Sequence, residues 1–442
     1  MTSLSKGCLA VTSVVLSLAL SITNVTAQTV KLSPEDSPSA SQASTSEAAT
    51  KTDDTQAPLS KNTSTQPASP KPSAEEVTTS PDTSPTTEAA ETAVQPKPTP
   101  PPAPPKSLTV ATWDGAYGEA QRIALFDPFA SRTGIAIKTK LHTDGARLRK
   151  PDTAEQLDWD IAHIPSDAAI AACDAGTVIA LTDMQPKPDQ FISGSIGKCH
   201  VASAVWSSVI AVRVSEAWPE TPTALADVFD PKRFPGKRAF PRQPRFLLET
   251  ALLADGVAPS NVYATLATDV GLARAFARLE NMRPHIVWWR ATSEVPTLLA
   301  KKNVRFAFGF NGRFFNAFAG RKDVPHLIWD GQLYGMNAWV IPAKSRHSAA
   351  AKEFISAALT TDVMRAQASR FPYGPTRLTA AKPPLRNDAL GLDITGFLPT
   401  APDNFSRALE IDEAWWQRNE ARLIDRFNAW VDGEAAPAPE AE

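Results

Sequence analysis

The sequence predicts an α/β protein built as two lobes. Three observations carry this reading. A strand–helix–strand run opens at Ser107, and a second α/β unit opens at Arg238. The folded stretch of about 330 residues also exceeds one domain of ordinary size.

The elements follow from local pattern. Ser107-Leu108-Thr109-Val110-Ala111-Thr112-Trp113 alternates as a strand and breaks at Gly115 and Gly118. Ala120 to Thr133 carries Ile123, Leu125, Phe126 and Phe129 at helical spacing. Gly134 ends that helix, and Ile135-Ala136-Ile137 opens a second strand, which makes the pair parallel. Trp159 to Ile164 is a short strand, followed by a helix over Ser166 to Asp174 with a stop at Gly176. Val205 to Val212 reads as a buried strand and as a crossing between lobes. Arg238 to Phe240 starts the second unit, with helices near Phe246–Leu253 and Asp269–Leu279. Asn303 to Phe310 and Ala338 to Ile341 are strands, and Ser348 to Leu359 is an amphipathic helix. Asp412 to Trp430 is a long helix whose Trp415, Trp416, Leu423, Phe427 and Trp430 belong to a core face.

The chain ahead of Ser107 is different material. Residues 1–27 read as a cleaved export signal: Lys6, an apolar run from Cys8 to Leu20, and Val25-Thr26-Ala27 at the cleavage position. Residues 28–106 are rich in Pro, Ser, Thr and Ala, with almost nothing to bury, so a disordered linker is expected. Residues 434–442 read as a disordered tail. The net charge of −2, with both signs interspersed, argues against a nucleic-acid surface.

Of three cysteines, Cys8 leaves with the signal. Cys173 and Cys199 then meet in an oxidising compartment and are expected to form a disulfide, with two separate buried thiols as the alternative. Such a bond closes a loop of about 25 residues, worth roughly 3 kcal/mol. The histidines show no HExxH pattern or close pairing, so no metal site is predicted. No nucleophile elbow, P-loop or dinucleotide fingerprint occurs, and neither an enzyme nor a cofactor is expected.

Five stretches, taken in order, carry a family resemblance. They are Thr112-Trp113-Asp114-Gly115-Ala116-Tyr117-Gly118; Trp159-Asp160-Ile161 up to Pro165-Ser166; Phe229-Asp230-Pro231-Lys232-Arg233-Phe234-Pro235-Gly236; Gly331-Gln332-Leu333-Tyr334 continuing to Ile341-Pro342; and Tyr373-Gly374-Pro375-Thr376. From about Leu108 to Trp430 the chain resembles the periplasmic substrate-binding components of spermidine/putrescine-type ABC transporters. The resemblance implies a periplasmic-binding-protein fold of type II-like form, with hinge strands between its lobes. Lobe 1 would span about 107–211 plus 336–385, and lobe 2 about 212–335 plus 386–433. It further implies a monomer in the periplasm that closes on a small polar solute and then docks on permease subunits.

Carried over residue by residue, the ligand positions are Trp113, Tyr117, Ser166, Phe310 and Tyr373, and Asp114, Glu119 and Glu294 remain as acidic partners for a ligand. The carboxylates that would pair polyamine ammonium groups fall instead on Gln243, Phe246 and Asn337. Arg245 and Arg290 stand nearby, Arg313 follows Asn311-Gly312 in what reads as a ligand-facing loop, and Trp288-Trp289 offers one aromatic wall, counted here as Trp288. Arginines favour a carboxylate, phosphate or zwitterion over a polycation. The function expected is therefore solute capture for an ABC importer. A sensor docking on a membrane receptor and an enzyme in the same cleft are the alternatives.

Overall fold

A computed structural model describes residues 104–433, except 143, 144 and 185. The predicted signal, the linker up to residue 103 and the 434–442 tail lie outside the described residues. Strand β1 (Ser107–Thr112) leads into helix α1 (Gly115–Gln121), whose start is capped by the Asp114 carboxylate accepting from the Gly115 N–H. The helix passes through a wide π turn at Arg122–Phe126 into α2 (Asp127–Thr133) and ends at left-handed Gly134. Strand β2 (Ala136–Leu141) then pairs parallel with β1. Strand β3 (Ile161–Pro165) lies on the other side of β1, also parallel, and runs directly into α3 (Ser166–Asp174).

Two long strands connect the halves. β4 (Val201–Val212) and β8 (His326–Val340) are antiparallel partners, and each contributes to both lobes. Beyond them β5 (Lys237–Pro241), β6 (Ile286–Trp289) and β7 (Val304–Phe310) repeat the parallel pattern of β1, β2 and β3. The full order is β2-β1-β3-β8-β4-β7-β5-β6. Two-residue strands extend it: β9 (Gly374–Pro375) on β4 and β10 (Leu409–Glu410) on β8.

Separate apolar clusters pack on the two halves of the sheet. Val205 and Tyr334 pack with lobe-1 residues such as Ile164, Ala168 and Ala338. Val209 and Leu333 belong to the separate lobe-2 core, with Phe240, Leu252, Phe308 and Trp416. The change falls beside a register break between Ser208 and Ile210 of β4. There the Ser207 and Ser208 hydroxyls both donate to the Leu333 carbonyl, at 3.1 and 3.2 Å. At this irregularity side-chain hydroxyls bond the Leu333 carbonyl where the regular ladder is broken. Residues 381–401 form a smaller cluster of their own with Phe315 and Ala368.

The other helices that matter are α4 (Leu247–Ala254), α5 (Asp269–Glu280), α6 (Asn311–Phe318), α7 (Ser348–Ala358), α8 (Thr361–Arg370) and α9 (Glu413–Asp432). The tryptophans of α9 are structural, as their spacing predicts. Trp416 is 1 % exposed, and its indole N–H donates to Glu249 at 2.5 Å. Burial raises the Glu249 carboxyl to about 7, against hydrogen bonds that include the one from Trp416.

Two expectations are revised and one is met. The strand expected over Ala338–Ile341 is the last part of the much longer β8, which continues through Gly331 at φ 66°. Asn311-Gly312-Arg313 opens helix α6 rather than a loop. The reason is local: the Asn311 amide donates to the carbonyls of Pro372 and Phe397 and accepts from the Ser207 N–H, which pins the turn to three segments. Asn311 is therefore fully committed inside the protein. The cysteine pair is bonded, with Cys173 and Cys199 at an S–S distance of 2.04 Å, tying the end of α3 to the approach to β4.

Candidate functional site

The C-terminal ends of β1 and β3 lie beside β8, one of the two strands shared by both halves. Trp113 follows β1, and Tyr117 lies one turn into α1. Ser166 is the first residue of α3, and Asn337 of β8 stands in register with the preceding Pro165. Tyr373 enters from the segment before β9. Its ring lies 4.7 Å from Tyr117, and Phe371 closes the group at 5.7 Å from Tyr117 and 4.8 Å from Tyr373.

Lobe 2 brings its own aromatic set. Phe310, at the end of β7, meets Trp206 of β4 at 5.6 Å and Phe246 at 5.8 Å. Phe246 sits at φ 69°, the single non-glycine residue among those described with positive φ. A bulky side chain there is strained, and such strain collects at functional sites. Two glycines let the rings approach the backbone. A Cβ on Gly312 would lie 2.6 Å from the Phe371 ring and 3.2 Å from Tyr373, and one on Gly335 would lie 2.4 Å from the Trp206 ring.

The polar atoms here are unevenly satisfied. Gln367 donates to the Tyr117 hydroxyl at 3.1 Å, and the Asn337 side chain is also within hydrogen-bonding reach of it. Burial, with Tyr373 adding to it, pushes the Tyr117 phenol well above its usual range. Burial lifts Tyr373 to about 12 against the pull of Arg313, so both rings stay neutral. By contrast, the Trp113 indole N–H, the Ser166 hydroxyl and the Asn337 carbonyl oxygen are buried with no hydrogen-bond partner. Asn337 is only 3 % exposed. Buried polar atoms are nearly always paired, and these three come from neighbouring segments: the end of β1, the start of α3 and β8.

A hydrogen-bonded chain braces this wall from behind. Thr112 donates to Gln121, whose amide lies 3.0 Å from His163 Nδ1, and His163 Nε2 lies 3.0 Å from Ser203 Oγ. With Gln121 donating to Nδ1, the imidazole carries its proton on Nε2 and donates to Ser203. Burial, helped by His142, pushes His163 down to about 3, so it is a neutral strut with its ring tilted against Trp339 at 4.1 Å.

The remaining predicted positions sit differently. Arg313 is half-buried near Tyr373. Arg245 lies over the Phe246 ring at 5.4 Å and forms an ion pair with Glu413 of α9. Gln243 is half-buried on the same loop. Asp114 is an exposed helix cap. Trp288 packs edge-on against Phe427 and Trp430 of α9, so its ring is taken up by the lobe-2 core. Arg290 is exposed, and its backbone N–H donates to Glu294. Sequence reasoning missed Trp206, which lay inside an apolar run, and the ion pair of Arg149 with Asp167 at 2.9 Å.

A concavity of about 270 Å³ elsewhere, at the far end of lobe 2, is lined by Arg213, Phe318 and Arg321 among others. Arg213 is spent on the Leu299 and Ala300 carbonyls, and none of the residues above reaches it. Among the described residues no cluster of His, Cys, Asp and Glu could hold a metal, and no helix is long and apolar enough to cross a membrane.

Residues 124–390 match the family model described as bacterial extracellular solute-binding protein. The chain is 33% identical over 331 residues to the gamma-aminobutyric acid-binding protein of Pseudomonas aeruginosa, covering 74% of this chain and 91% of that one. Among solved structures, the Atu4243-GABA receptor is 25% identical with TM-score 0.59, covering 74% of this chain and 98% of its own. An ABC transporter substrate-binding protein from Bradyrhizobium japonicum USDA 110 is 25% identical with TM-score 0.60, covering 74% and 99%. The family and these relatives are described by what they bind, and this chain is a binding protein and not an enzyme. A sheet with a separate core on each half, a family match over most of the described residues and the 33% identical relative together place the chain in the bacterial extracellular solute-binding protein family.

Proposed function

We propose that this chain is the periplasmic, ligand-capturing component of an ABC importer, and that its solute is a short ω-amino acid of the γ-aminobutyrate class. The carrying observation is the set of orphaned atoms in the crevice. The Trp113 N–H is a donor only, the Asn337 carbonyl oxygen is an acceptor, and the Ser166 hydroxyl serves either role. A carboxylate and an ammonium on one small molecule satisfy all three. The faces of Tyr117, Tyr373, Trp206 and Phe310 suit the methylenes between them and attract the ammonium. The γ-aminobutyrate-binding relative supports the same class.

A polyamine fits less well. Each of its ammonium groups needs a carboxylate when buried, and Gln243, Phe246 and Asn337 supply none. Closure follows from contact with both lobes, because a solute that binds the closed form better shifts the population towards it. The closed protein would then dock on permease subunits as a monomer.

Calorimetric and thermal-shift titrations of residues 28–442 test this with γ-aminobutyrate, putrescine, spermidine and succinate. γ-Aminobutyrate is expected to bind saturably, with stabilisation of about 2.7 kcal/mol at a hundredfold excess over Kd. Tighter binding of putrescine or spermidine would return the site to the polyamine class.

A further inference from the structure

We propose that His142 is a positioning residue for the solute: it holds the Trp113 indole in the orientation that offers its N–H to a guest. This rests on reading Trp113 as a ligand contact.

The Trp113 ring needs such a holder. A buried tryptophan is usually fixed in part by the hydrogen bond its N–H makes. Here that N–H is buried without a partner, so packing alone orients the ring. The backbone is set by α1, where a Cβ on Gly118 would lie 2.4 Å from the Trp113 carbonyl oxygen. The ring packs against the cluster of Tyr117, Ala120, Ala204 and Phe371. It also meets the imidazole of His142, with centroids 5.2 Å apart and planes tilted by 50°.

His142 is itself fixed by three segments. It directly follows β2 and is buried. Its backbone N–H donates to the carbonyl of Thr112, the residue before Trp113, at 3.1 Å. Its ring Nε2 lies 2.6 Å from the His163 carbonyl on β3, and Nδ1 accepts the Gly145 N–H at 3.3 Å. A backbone N–H only donates, so the ring proton sits on Nε2 and is given to His163. Both nitrogens are thereby engaged, and plane and tautomer are set together. Gly145 supplies its N–H from a left-handed turn at φ 68°, seated so close to β3 that a Cβ would lie 3.0 Å from the Ile164 side chain. Trp159 meets the imidazole at 5.8 Å. The ends of β1, β2 and β3 thus hold one imidazole, and that imidazole is a wall for the indole. A donor aimed before the guest arrives does not have to be ordered on binding.

The test uses residues 28–442 as wild type, His142→Phe, His142→Asn and His142→Gln, each alone and combined with Trp113→Phe, titrated calorimetrically with γ-aminobutyrate. His142→Phe keeps a ring beside the indole and gives up both hydrogen bonds. It should weaken binding about tenfold, the factor expected for Trp113→Phe, because both changes lose the same hydrogen bond to the guest. Combined, they should cost no more than either alone, within about twofold. His142→Gln keeps a donor and an acceptor and should stay within about threefold of wild type. His142→Asn keeps the acceptor for Gly145 and gives up the tie to His163. It should lose about fivefold alone and nothing further beside Trp113→Phe, and it carries the test if the phenylalanine variant does not fold. Losses that multiply in the combined variants, or His142 variants that bind as wild type while Trp113→Phe is weakened, overturn the positioning role and leave the ligand site standing. Trp113→Phe binding as tightly as wild type removes Trp113 as a donor to the guest and the role of His142 with it. A wild type that does not bind γ-aminobutyrate removes both readings.

Discussion

Replacing Trp113 with alanine is expected to weaken γ-aminobutyrate binding about a hundredfold, while the melting temperature of the unliganded protein changes little. The ring is half-buried and meets His142 at 5.2 Å, so its loss opens no large cavity in a core. Its indole N–H is buried without a partner, so its value lies in what it offers a guest. Truncating a central aromatic that also makes a buried hydrogen bond typically costs 2 kcal/mol or more, which is near thirtyfold at the least and a hundredfold at about 2.7 kcal/mol. Trp113→Phe separates the two contributions. It keeps an aromatic wall and removes the donor, so a loss of about tenfold is expected. Calorimetry gives the affinities, and a melting curve of each unliganded variant checks the fold. A melting temperature that falls in step with affinity would make Trp113 a packing residue.

The second large effect concerns stability. Arg238→Ala is expected to cost about 3–5 kcal/mol, the range for removing one partner from a buried, fully hydrogen-bonded charge site. Arg238 is 0 % exposed, and its guanidinium donates to the carbonyls of Val228, Gly236, Asp230 and Phe234. It also lies 4.4 Å from the Phe306 ring centre. The stretch Phe229 to Gly236 is thus a loop wound around one cation, and alanine would leave its carbonyls without their donor. Burial lowers the Arg238 pKa to about 10 against the pull of Asp230, so the group stays charged at neutral pH. Arg238→Lys keeps the charge without the planar fork and should show an intermediate loss. Urea denaturation measures both. A loss under 1 kcal/mol for the alanine variant would contradict this account of the loop.

This loop shows what a sequence motif does and does not reveal. Its residues mark the family, yet their geometry is structural: they fold around a strand residue and do not approach the crevice. The positions we propose for the ligand were legible where a strand or helix ends on them. Trp113 after β1, Ser166 at the start of α3 and Phe310 at the end of β7 stand at such ends, where an α/β sheet presents its side chains to a ligand. Trp206 gave no such signal, because a tryptophan within an apolar run looks like core. Trp288 misled for the converse reason: strand alternation sends neighbours to opposite faces but does not say that one of those faces is covered by α9.

The fold itself was legible in its periodic parts and opaque at its crossings. β8 carries Asp330-Gly331 in its middle, a pair that reads as a turn. In the structure Gly331 bends the strand while the Asp330 carboxylate accepts the Leu225 N–H at 2.9 Å. Arg245 and Glu413 are 168 positions apart, and no local pattern links them. Contacts of that kind arise from topology, which brings the start of α9 back to the loop after β5.

The most direct measurement is the indole ¹⁵N–¹H spectrum of protein labelled at its 11 tryptophans. The Trp113 resonance is assigned by its loss in Trp113→Phe, and γ-aminobutyrate is titrated in. The Trp113 signal should move downfield and saturate as its N–H gains a carboxylate partner, while Trp288, Trp415 and Trp416 stay in place within the lobe-2 core. Saturable binding that leaves Trp113 still and moves Trp288 would put the guest somewhere other than the crevice between the lobes.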